Sequence, residues 1–262
     1  MNFQVLKKYV EFSILFSVAG LLLVRCAGKE VSKEDPDGLF AEAESVYKDE
    51  RYLIAIEKFR DIKNRFPYSS RALDAELRIA DCYFAQESYI ESESAYEVFR
   101  ELHPNHPKSD YVQYQMAMSF YQQIPSNSTR DLTAAYKAIE AFNVLLERFP
   151  KSEYAGKARE SALEASRRIA EYESYVADFY FQRKHYISAS YRYNALLQDF
   201  PNSGFEEEAL FRLGVSYSNV RMFENAKDSF RRLIAKYPSS SYRSDSEGFL
   251  KNLTKEESSP QK

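Results

Sequence analysis

One short phrase constrains this chain more than anything else in it: an aromatic residue, a proline, and a serine two places further on. It occurs as Phe66-Pro67-Tyr68-Ser69, Phe149-Pro150-Lys151-Ser152, Phe200-Pro201-Asn202-Ser203 and Tyr237-Pro238-Ser239-Ser240. A variant, Leu102-His103-Pro104, is followed after an extra turn by Pro107-Lys108-Ser109. Each phrase reads as a helix boundary: the aromatic closes an apolar helix face, the proline stops that helix, and the serine caps the next one. A boundary that returns several times implies a repeat, and repeats decide the fold before any other signal.

With Pro67, Pro104, Pro150, Pro201 and Pro238 placed at the closing position of a 34-residue tetratricopeptide motif, the other motif positions fall into line. The fifth repeat supplies Leu213-Gly214, Tyr217, Ala226 and Phe230; the fourth supplies Ala177, Tyr180, Ala189 and Tyr193. The second gives Ala80, Tyr83, Ser92 and Tyr96, and the first Ala43, Ala55 and Phe59. Small residues let paired helices approach and aromatics fill the space between them. The expected fold is all-α: a tetratricopeptide-like α-solenoid of five helix pairs, following a cleaved N-terminal signal. Scarcity of glycine, 7 in 262 residues, agrees with a helical chain that rarely needs positive φ.

The third repeat departs from the rule. Tyr114, Ala117, Met118 and Tyr121 serve its first helix, and Ala138 and Phe142 its second, but about eight extra residues around Ile124-Pro125-Ser126-Asn127-Ser128-Thr129 separate them. Insertions in solenoids gather on one face, often a binding face. From Glu153 to Arg183 only Gly156 interrupts the pattern, so the fourth repeat is expected to open with a helix of about 30 residues. That strut divides the array into N-terminal repeats, 39–123, and C-terminal repeats, 124–253.

At the N-terminus, Lys7 and Lys8 precede an apolar run from Phe12 to Val24. Its length suits a signal-peptide core and falls short of the roughly 20 apolar residues of a membrane span. Residues 1–25 therefore read as a lipoprotein signal peptide. The run ends in Leu23-Val24-Arg25-Cys26, which resembles a bacterial lipobox with Cys26 as the lipidated residue, although Arg25 stands where a small residue is usual. The alternative is an ordinary cysteine beside an uncleaved anchor. By the same resemblance, Ala27 lacks the aspartate retention signal and directs the chain to the outer membrane. Residues 26–38 read as a polar tether and 254–262 as a disordered tail.

Composition excludes several classes of function. A formal net charge of −3 offers no basic face for nucleic acid. The only histidines are His103, His106 and His185, and no cysteine or carboxylate stands at ligand spacing beside the first two, so no metal site is expected. Cys82, one residue before Tyr83, reads as a packed thiol. No nucleophile–base pair or phosphate loop stands out; the chain reads as non-enzymatic, with no cofactor. Tyr83, Tyr121, Tyr180 and Tyr217 share one repeat position and read as packing groups. Tyr111, Tyr172, Tyr175, Tyr186 and Tyr191 lie off that grid, and a minority of them is expected to line a peptide groove.

Three stretches go beyond a generic repeat: His103-Pro104-Asn105-His106-Pro107 with Asp110-Tyr111-Val112-Gln113-Tyr114; Arg130-Asp131 ahead of the alanine-rich helix ending at Phe149-Pro150; and Tyr172-Glu173, Tyr175-Val176-Ala177, Phe179-Tyr180 and Arg183. With these the chain, from about Phe40 to Ser240, resembles the BamD (ComL) family of outer-membrane β-barrel assembly lipoproteins. The resemblance implies an outer-membrane lipid anchor facing the periplasm and a scaffold or receptor role in inserting barrel proteins. It implies that the N-terminal repeats receive unfolded outer membrane proteins, with Tyr111, Tyr114, His103 and His106 as groove candidates. It implies that the C-terminal repeats dock the periplasmic domains of the barrel-forming insertase, with Arg192, Arg183, Arg130 and Asp131 as contacts. The alternative keeps the repeats but makes the chain a periplasmic adaptor in cell-envelope or division complexes; such adaptors usually carry an N-terminal coiled coil, and only a short tether stands here.

Overall fold

A computed structural model describes residues 35–126 and 131–258. The expected signal peptide, Cys26 and Arg130 lie outside the described residues. Among the described residues there are eleven helices and no strand: α1 (Pro36–Lys48), α2 (Tyr52–Arg65), α3 (Ser70–Ala85), α4 (Tyr89–Leu102), α5 (Ser109–Gln122), α6 (Thr133–Arg148), α7 (Ala155–Gln182), α8 (Tyr186–Asp199), α9 (Glu206–Asn219), α10 (Phe223–Lys236) and α11 (Arg243–Ser258). The first ten form the five expected tetratricopeptide-like pairs.

The repeat register holds at atomic detail. The small residues Ala43, Ala80, Ala117 and Ala177 on the first helices, and Ala55, Ser92, Ala138, Ala189 and Ala226 on the second, are fully buried. So are the aromatics of the second helices, Phe59, Tyr96, Phe142, Tyr193 and Phe230. At Gly214 a Cβ would lie 2.6 Å from the Phe230 ring, so only glycine permits that approach. Every second helix ends alike: Phe66, His103, Phe149, Phe200 and Tyr237 hold φ near −130° and donate their N–H to the carbonyl four residues back. Four of the turns inside a pair also match, with Glu50, Glu87, Lys184 and Arg221 at φ of 60–64°. The next residue in each donates back five residues (Arg51 to Val46, Ser88 to Tyr83, His185 to Tyr180, Met222 to Tyr217), a Schellman closure built without glycine. The fifth such turn is the inserted one.

The chain falls into two compact units, one running to Ile79 and one starting at Ala80. In the first, Phe40 packs on Phe59 at 5.4 Å, and Arg78 clamps Glu44 with two bonds of 2.5 and 2.9 Å while lying over the Tyr47 ring. In the second, consecutive helices from α4 to α11 pack on one another. The strut expected from Glu153 to Arg183 is α7, at 28 residues about 42 Å long. Ser161 in its first half meets Met118 of α5. Ala170 and Ala177 further along join Ala189, Tyr193 and Leu213 in one core. The boundary expected between lobes at 39–123 and 124–253 falls inside the second unit.

Three expectations change. The first helix begins at Pro36 and not after a tether ending at 38, because Asp35 caps it by accepting from Gly38 N at 2.7 Å and Pro36 is preorganised for a first helical position. The recurrent serine caps its helix only at Ser69, which accepts from Arg71 N; Ser152 and Ser240 brace the turn one step earlier by accepting from the N–H two residues on. Finally, α11 continues through 254 into the stretch read as tail. Its Phe249 stacks on Phe230 at 5.1 Å and its Leu253 is buried there, covering a face that the last pair would otherwise leave to water.

Candidate functional site

The signature segment between α4 and α5 is first a fastening. His103 ends α4, and its ring lies 4.8 Å from that of Phe99; His106 meets the same ring edge-on at 5.1 Å. Two imidazoles thus close over a buried phenyl, while His106 Nδ1 accepts from Lys108 N at 3.2 Å. Ser109 donates its hydroxyl to the His106 carbonyl at 2.6 Å. Asp110 accepts from the Ser152 hydroxyl at 2.7 Å and so ties the start of α5 to the turn before α7. Gln113, buried, donates to the Ala141 carbonyl at 2.8 Å and accepts from Arg100 at 3.2 Å. The prolines keep this turn rigid and the polar side chains stitch it to three helices.

Next to it lies a tyrosine cluster. Tyr96 and Tyr111 both donate to one oxygen of Asp81, at 2.6 and 2.8 Å, and Gln115 donates to the Tyr111 hydroxyl at 3.1 Å. Burial, then the Asp81 charge, pushes both phenols above their usual range, so both remain neutral donors at ordinary pH. Tyr114 stacks on Tyr154 at 4.9 Å and 18°, and Tyr111 leans on Tyr154 at 5.8 Å. Of the four groove candidates, the two histidines gather on Phe99 and the two tyrosines on Tyr154. Tyr154 and Asp81 were not singled out in the sequence.

A second group forms on α7 and α8. Arg192 donates to Glu173 at 3.1 Å with its side chain about half exposed. Arg183, at the end of α7, lies 3.6 Å over the Phe179 ring and donates to the Phe179 carbonyl. Both arginines therefore anchor to the same half of α7, where Tyr175 and Phe179 stand exposed, and Ile187 and Tyr191 stand exposed on α8. An apolar-aromatic surface with two ordered guanidinium groups is the composition of an interaction hot spot. Asp131 has a different place: its carboxylate accepts from Thr133 N and Oγ1 at 2.9 and 2.6 Å, which opens α6 and lowers its pKa.

Beside that surface is a half-buried ion pair the sequence reading passed over. Asp178 accepts from the Tyr193 hydroxyl and pairs with Arg212 of α9. Burial works against the Arg212 charge, but hydrogen bonds with Tyr193 and Asp178 outweigh it and raise its pKa. Glu44, Asp81 and Asp178 all follow the small residue of a first helix, and Arg78 and Arg212 both precede that residue by two. Comparison of repeats for their charged positions as well as their small ones would have found these straps.

A family model described as YfiO, outer membrane lipoprotein, matches residues 32–229, which takes in both clusters, the first four pairs and the fifth as far as the middle of α10. The chain belongs to this family. Among its relatives, the outer membrane protein assembly factor BamD of Neisseria gonorrhoeae is 30% identical over 247 residues, covering 87% of this chain and 92% of that one. The BamD protein of Vibrio cholerae is 26% identical over 219 residues, covering 80% and 88%. The TPR2AB domain of yeast Sti1 aligns over 84% of each chain with a TM-score of 0.44 and 15% identity.

Proposed function

We propose that this chain is a non-enzymatic scaffold and receptor in outer membrane protein assembly, held at the membrane by a lipid on Cys26. The observation that carries the reading is that relatives called outer membrane protein assembly factors align with it over nearly their whole length. In this reading the N-terminal repeats, with Tyr111, Tyr114, His103 and His106, receive unfolded barrel proteins. The C-terminal repeats dock periplasmic domains of the barrel-forming insertase through Arg192 and Arg183, with Arg130 and Asp131 beside the inserted loop. The exposed aromatics beside two ordered arginines support the docking role, since such surfaces lose much apolar area on association. Binding and orientation are all the chemistry this role needs. Depletion of the protein in its host tests it: a selective fall of barrel proteins in the outer membrane is the expected result. A septation defect with normal barrel levels would instead make it an envelope or division adaptor.

A further inference from the structure

The repeat register supplies an internal comparison, because the same lengthwise row exists on every second helix of a pair. On α10 that row is Glu224, Asp228, Arg232 and Lys236, charged throughout, with Asp228 and Arg232 paired. This is what a solvated helix face requires. On α4 the same row is Ile90, Ser94, Val98 and Leu102, with no charge at all. Ile90 is 68% exposed, Val98 44% and Leu102 62%. Residues four apart on a helix lie above one another, so these side chains form one ridge along α4, with Ser94 as a notch in its middle. Covering such side chains removes apolar area from water, and in the free protein that gain is not taken.

The flanks say what covers the ridge. Glu91, Glu97 and Glu101 are exposed beside it; Arg100, the one cation of the helix, is already engaged by Gln113 at 3.2 Å and Glu97 at 3.4 Å. An acidic rim repels an anionic lipid surface. It also disfavours a second copy of this chain, because pairing two α4 faces would set glutamate against glutamate. We propose that the outer face of α4 docks an amphipathic helical segment of a partner protein, one with an apolar ridge flanked by lysine or arginine. This assignment rests on α4 alone and stands whether or not the chain serves barrel assembly.

The test uses the full-length protein in detergent and two labelled helical peptides of about 20 residues, sharing one leucine ridge but flanked by lysines in one and glutamates in the other. Fluorescence anisotropy at physiological salt is expected to show binding of the lysine peptide and at least about tenfold weaker binding of the glutamate peptide. The double variant Val98→Asp, Leu102→Asp is expected to weaken the lysine peptide at least about tenfold with an unchanged melting temperature, since both positions are exposed. The pair Asp228→Ala, Arg232→Ala on α10 is the control and should bind like the parent. Equal affinity for both peptides, no binding of the lysine peptide, or indifference to the α4 double variant would overturn the proposal. So would loss, in that variant, of binding to phosphatidylglycerol vesicles or of self-association in sedimentation, because the occupant would then be a membrane or a second copy.

Discussion

Asp81 and Asp178 are where single residues matter most in this protein. Asp81 is a buried carboxylate and Asp178 a half-buried one, each held by its neighbours: Tyr96 and Tyr111 for the first, Tyr193 and Arg212 for the second. Replacing Tyr96 by phenylalanine keeps the ring and removes one of two bonds to a buried charge, so stability should fall by about 1–3 kcal/mol in urea denaturation. The same change should alter the pH dependence. Folded-state phenol pKa values above the unfolded 10 make a contribution that is complete below pH 10 and is lost as pH rises from there through the folded values. Tyr96→Phe should therefore lose less stability than the parent between pH 9 and 11.5; an equal loss would mean that Tyr96 is not the responsible group. Sequence reasoning placed Tyr96 and Tyr193 correctly as core aromatics but passed over their acidic partners. An aspartate on a helix reads as solvent-facing until its tyrosines are seen to converge on it.

At the scale of helices and turns, most of the architecture was legible because spacing alone carries it. Proline following an aromatic closes the helix before it, and small residues recur where backbones approach; the register of the five pairs follows from those two facts. Helix ends were less legible. The Schellman turns give no glycine signal, since Glu50, Glu87, Lys184 and Arg221 occupy the left-handed position. A side chain there costs about 1–2 kcal/mol, partly balanced by the chain entropy that glycine adds to the unfolded state. Lys184→Gly should accordingly stabilise the protein by up to about 1 kcal/mol; clear destabilisation would show that the lysine makes a needed contact. The last helix was missed because α11 lies beyond the final aromatic-Pro-x-Ser phrase and its sequence is mostly polar, with only Phe249, Leu250 and Leu253 as an apolar edge. Ending the chain at Tyr242 should uncover Phe230 and Phe211 and cost about 3 kcal/mol or more, seen as a lower urea midpoint. An unchanged midpoint would remove α11 from the core.

At the scale of the whole molecule, repeated helix pairs present several candidate binding faces. The fastened turn at His103–Tyr114 explains in physical terms why that segment is so distinctive in the sequence: its prolines, histidines and carboxylate hold α4, α5 and the turn before α7 together, while the half-exposed sides of His103, His106, Tyr111, Tyr114 and Tyr154 remain for a partner. The arginine-bearing surface on α7 and α8 is the better candidate for a stable contact. Arg192→Glu places a negative charge beside Glu173 and should reduce insertase retention severalfold while leaving the melting temperature within a few degrees. Retention at the parent level would take Arg192 out of the interface. The most direct test of the central claim is affinity purification of the tagged native protein from gently solubilised membranes, with its partners identified by mass spectrometry. Near-stoichiometric recovery of a barrel-forming insertase with periplasmic domains is the expected result; recovery of cell-wall or division proteins without any such barrel would contradict it.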